Sequence, residues 1–68
     1  MSTFREANQV RLILKMKLHY YAWYKSSVVV SNKEEYSVVI GAKHLDNKIR
    51  KLISPVMNGV SVKVEVES

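Results

Sequence analysis

From Val60 to Glu67 the chain alternates without a break. Val60, Val62, Val64 and Val66 fall on one side, and Ser61, Lys63, Glu65 and Glu67 on the other. Period-two alternation of β-branched and polar residues specifies a half-buried strand. Such a strand cannot fold alone: its backbone needs neighbouring strands, and its valine face needs an apolar cover. The rest of the 68-residue chain has to supply both.

Two β-branched runs are the candidates for neighbours. Val28 to Val30 and Tyr36 to Ile40 flank a polar stretch, SNKEE at 31–35, and this arrangement predicts a hairpin. The carboxylates Glu34 and Glu35 fall in its turn, and Gly41 closes its second strand. In AKHLDNKIRKLIS, residues 42–54, Leu45, Ile49, Leu52 and Ile53 sit at i, i+4, i+7 and i+8, the spacing of a core-facing helical stripe. Asp46 and Arg50 are placed to pair on its surface, and Pro55 ends the helix. Val56 extends the apolar surface beyond it. Asn58-Gly59 is a turn dipeptide that leads into the last strand.

Residues 10–24, VRLILKMKLHYYAWY, admit two readings. Even positions are all apolar, and Arg11, Lys15, Lys17 and His19 are odd, which suits a strand. Three features favour a helix. A strand here would run far beyond the usual 5–6 residues. Thr3 to Glu6 matches a capping box. Good helix formers dominate, and β-branched residues are few. The reading adopted is a helix over residues 3–24, with Val10, Ile13, Leu14, Tyr21 and Tyr24 on its main apolar face and Arg11, Lys15 and His19 opposite. Leu12, Leu18 and Trp23 lie off that face.

The expected fold is α+β, a two-layer sandwich in α-β-β-α-β order. A three-stranded, mainly antiparallel sheet (strands at 27–31, 36–41 and 59–67) is covered by two helices (3–24 and 43–54), all in one domain. The run from Tyr36 to Val66, with VVIG, an amphipathic helix and then NGVSVKVEV, resembles the closing half of BON-type domains. Those show a strand ending in Gly, a helix and a Gly-Val entry to the last strand, typically in cell-envelope proteins. The resemblance implies the β-α-β closing topology.

Composition narrows the function. With no cysteine there is no disulfide, no thiolate nucleophile and no thiolate zinc site. A core of this size supplies only about 3–5 kcal/mol of net stability, so a homo-oligomer is expected. The serines carry no nucleophile motif, the carboxylates do not read as an acid–base pair, and two glycines cannot build a phosphate-cradling loop. A chain this small is also expected to lack room for a ligand pocket of about 300 Å³. The expectation is no catalysis, no cofactor and no metal site; His19 and His44 read as solvated. The N-terminal MSTFREANQ lacks the pattern of a signal peptide, and a cytoplasmic chain is expected.

A net charge of +5 permits an anionic partner. HYYAWYK, residues 19–25, holds four of the six aromatics. As a subunit interface it points to Leu12, Met16, Tyr20, Trp23 and Tyr24. As a stacking platform beside cations it points to Arg11, Lys15, Tyr21, Trp23, Lys48 and Lys51 and to sequence-tolerant nucleic-acid binding. The primary reading is a non-catalytic protein–protein interaction module; nucleic-acid binding is the alternative, and membrane association is not expected.

Overall fold

The computed structural model describes residues 3–33 and 35–67. Its elements are α1 (Phe4–Leu18), β1 (Tyr24–Asn32), β2 (Glu35–Ala42), α2 (Asn47–Leu52), β3 (Val56–Met57) and β4 (Val60–Val66). The fold is α+β, an N-terminal helix on a four-stranded mixed sheet with a short second helix, in the order α-β-β-α-β-β. No described helix is long and apolar enough to cross a membrane.

The capping box opens α1 as expected. Thr3 Oγ1 accepts from the Glu6 N–H, and Glu6 Oε1 accepts from the Thr3 N–H at 3.0 Å. The helix stops at Leu18, not at residue 24. His19 caps it, its N–H donating to the Lys15 carbonyl, and the poor helix formers of HYYAWY follow. Including those residues in the helix also misplaced its face. The buried stripe is Ala7, Val10, Leu14 and Leu18, while Ile13 is exposed.

The sheet order is β1-β2-β4-β3. β1 and β2 pair antiparallel as a hairpin, with Val29 opposite Val38 and Ser27 opposite Ile40, but the turn is shorter than expected: Asn32 and Glu35, read as turn, belong to the ladder. Glu34, assigned to its turn, lies outside the described residues. The sheet is mixed and has four strands, where three mainly antiparallel ones were expected. β2 and β4 are parallel neighbours, with Val38 opposite Val62 and Ile40 opposite Val64. The added strand, β3, forms a hairpin with β4 across Asn58 and Gly59, whose φ angles of 51° and 76° suit a two-residue turn. Two residues are too few to show a period, so only the turn dipeptide was readable.

The core joins the α1 stripe to Val38 and Ile40 of β2 and to Val60 and Val62 of β4, with Ile49 and Ile53 beside them. α2 is half the length expected, because Asp46 is its N-cap: the carboxylate accepts from the Ile49 N–H at 2.9 Å. α1 packs on β1, β2 and β4. α2 and its C-cap add Ile49 and Ile53, both buried, to the same core. The opposite face stays open, with Val28 and Val30 exposed.

Candidate functional site at the outer edge of the first strand

β1 is an edge strand nine residues long, with β2 on one side and, among the described residues, no strand on the other. Asn32 and Glu35 close the hairpin. In a two-residue hairpin the residues flanking the loop exchange hydrogen bonds, and the pattern then alternates. The backbone groups of Ser26, Val28 and Val30 therefore face β2. Those of Ser27, Val29 and Ser31 point outward, and no described backbone group bonds to them.

α1 overhangs this edge. Phe4, Asn8, Arg11 and Lys15 lie along the helix side nearest β1, because their three- and four-residue spacing keeps them in one row. Two adjoining hollows result. One, of about 330 Å³, is lined by Phe4, Asn8, Arg11, Ser27, Val28 and Val29. The other, of about 200 Å³, is lined by Arg11, Lys15, Tyr24, Lys25, Ser26 and Ser27. They share Arg11 and Ser27 and form one trough along the strand. Among the described residues its lining holds three cations and no carboxylate, and Ser26 Oγ donates to the Glu67 carboxylate at 3.4 Å. Arg11 Nε donates to Asn8 Oδ1 at 3.0 Å, which leaves the other guanidinium N–H groups for a ligand. The Tyr24 hydroxyl donates to Ser27 Oγ at 3.0 Å, fixing the ring at the trough's end.

The sequence candidates divide among several places. Arg11 and Lys15 meet in the trough, joined by Lys25. Lys48 and Lys51 are exposed on α2, beside β4 and thus toward the other edge of the sheet. Tyr21 stacks on Trp23 with centroids 5.3 Å apart, and Trp23 also packs against the core. These two rings cover one another instead of presenting an open platform. Of the interface candidates, Leu12, Met16 and Tyr20 are exposed, whereas Trp23 and Tyr24 pack against the core. Sequence reasoning gave no role here to Phe4, Asn8, Ser26 or Ser27. They join the site only because α1 lies over β1, which no local pattern encodes.

A larger hollow, about 550 Å³, lies between α2 and β4. Leu45, Ile53, Pro55, Val62 and Val64 line it together with Arg50, Lys63 and Glu65. Hollows above 300 Å³ therefore do form in this small chain, contrary to expectation; packing helices on one face of a twisted sheet leaves open clefts at its rims. Among the described residues no three His, Cys, Asp or Glu side chains are grouped to hold a metal ion. His44 Nε2 lies 3.7 Å from the Asp46 carboxylate, with both side chains well exposed.

Comparison with protein-family models, curated proteins and solved structures finds no match to this chain.

Proposed function

We propose that the chain is a small non-catalytic protein–protein interaction module that self-associates through the outer face of α1. The observation that carries this reading is the apolar row turned away from the sheet: Leu12, Met16 and Tyr20 are 44%, 70% and 81% exposed. Ile13 widens the row. Exposed apolar residues occurring singly are ordinary, but a contiguous patch marks a contact surface. Full burial of a Leu or Met side chain is worth about 1.5–3 kcal/mol. Covering what remains exposed on this face is therefore comparable with the about 3–5 kcal/mol that a core of this size supplies. Association adds its stabilisation by mass action.

The test is mass against concentration by sedimentation, on the wild type and on a Leu12→Glu/Met16→Glu variant. The expected result is a wild-type mass of a dimer or larger and a monomeric variant with an unchanged circular-dichroism spectrum. A wild type that stays monomeric at every concentration overturns the reading.

Nucleic-acid binding is the second reading, favoured by the meeting of Arg11, Lys15 and Lys25. The mutual stacking of Tyr21 and Trp23 speaks against it, because a base would have to displace one ring from the other.

A further inference from the structure

We infer that the outer edge of β1 takes an added strand from an acidic, extended segment of a partner protein, steered into register by Arg11, Lys15 and Lys25. The inference shares with the preceding reading only the premise that the chain works by protein contact, and it does not need the apolar face of α1.

The first argument is the backbone. An unpaired edge is a template for another chain, and native proteins blunt it with proline, short strands, edge lysines, bulges or a covering helix. From Ser26 to Asn32 β1 carries no proline, lysine or bulge, and α1 overhangs it while leaving the trough open. Its irregularity, a register shift between Tyr24 and Ser26, lies at the start of the strand. Ser27, Val29 and Ser31 present alternating donors and acceptors, which a polypeptide strand satisfies in full. A DNA backbone offers phosphate acceptors to the donors but no N–H or O–H for the carbonyls, and an RNA backbone offers only its 2′-hydroxyls.

The second argument is charge complementarity. Arg11, Lys15 and Lys25 gather at the Tyr24 end of the trough, and among the described residues no carboxylate lines it; Glu67 reaches its border, accepting from Ser26 Oγ at 3.4 Å. The other end is lined by Phe4, Val28 and Val29. The best occupant is thus acidic where it passes Ser27, within reach of Arg11, Lys15 and Lys25, and apolar or small where it passes Val29. A second copy of β1 fits less well. Antiparallel pairing centred on Val29 brings Lys25 of each copy toward the other's hairpin turn, where Lys33 lies, and so gathers like charge at both ends of the pair.

The experiment uses the full chain and its amide spectrum. The probes are a peptide alternating glutamate with valine, its lysine–valine counterpart, polyglutamate of equal charge and single-stranded oligothymidylate. The glutamate–valine peptide is expected to bind, to protect the Ser27, Val29 and Ser31 amides from exchange, and to weaken with salt. Arg11→Gln/Lys15→Gln should lower its affinity at least tenfold. Ser31→Pro removes an outward donor far from the cations, so it should weaken the peptide while leaving the fold intact. Equal binding of polyglutamate, or oligothymidylate binding that Ser31→Pro leaves unchanged, overturns strand addition in favour of a general anion surface. A Leu12→Glu/Met16→Glu variant that remains dimeric until Ser31→Pro is added makes the occupant a second copy and overturns the acidic partner. A monomeric wild type that still binds the peptide removes self-association and leaves this inference standing.

Discussion

Along one edge of the sheet β1 runs for nine residues with no described strand outside it, while along the other β3 stops after two. Pro55 marks the stop. Its carbonyl accepts from the Val62 N–H at 2.9 Å, but it has no N–H to return, so the ladder cannot continue past it. The hollow beyond it is lined by Leu45 and Ile53 and carries both signs of charge. The trough at β1 carries one sign. Two edges of one small sheet are thus treated differently: one is cut short by proline, and the other is left long and flanked by cations. The difference places the binding surface on the long edge that no proline interrupts.

Substitutions can break or sharpen this contrast. The largest effect is expected at Ile40, fully buried on the strand that holds the two edges together. Ile40→Ala should cost about 2–5 kcal/mol. That is most of the stability available, and urea unfolding should show both edges lost in one transition. Next comes Val30→Pro, which removes a donor facing β2 and should cost about 1–3 kcal/mol by the same assay. On the opposite edge Gly59 holds a positive φ, so Gly59→Val should cost about 1–2 kcal/mol. Its chemical-shift changes should stay near Met57 and Val60. Asp46→Ala removes the α2 cap and should cost about 1 kcal/mol in thermal melts, with peptide binding at β1 unchanged. Ser31→Pro, one residue from Val30 but pointing outward, should move stability by no more than about 0.5 kcal/mol. The pair at 30 and 31 is the sharpest form of the contrast, because the same substitution should differ severalfold between adjacent residues.

What the sequence made legible were features carried by a few neighbouring residues. The alternation of β4, the Asn58-Gly59 turn, the β1–β2 hairpin and the Thr3–Glu6 capping box all act locally. The end of α1 was not legible. Tyr21 and Tyr24 continue a helical spacing on paper, but the backbone has already turned, with Tyr21 N–H donating to Leu18 and Tyr24 N–H to Tyr21. The parallel pairing of β2 with β4 depends on how the chain returns over α2, which no period records. The site was half legible. Arg11 and Lys15 stood out as cations of one segment, and Lys25 as one of another. Only the packing of α1 against β1 brings the three to one edge. Gly41 shows the same limit: it marked a strand end, whereas in the fold a Cβ there would meet the Glu67 carboxylate and Ser26 Oγ.

The most direct measurement is amide hydrogen exchange along β1 in the free protein at low concentration. An open edge should give fast exchange at Ser27, Val29 and Ser31 and protection at Val28 and Val30, residue by residue in alternation. Uniform protection from 26 to 32 would mean that the edge is already covered, and it would contradict the account.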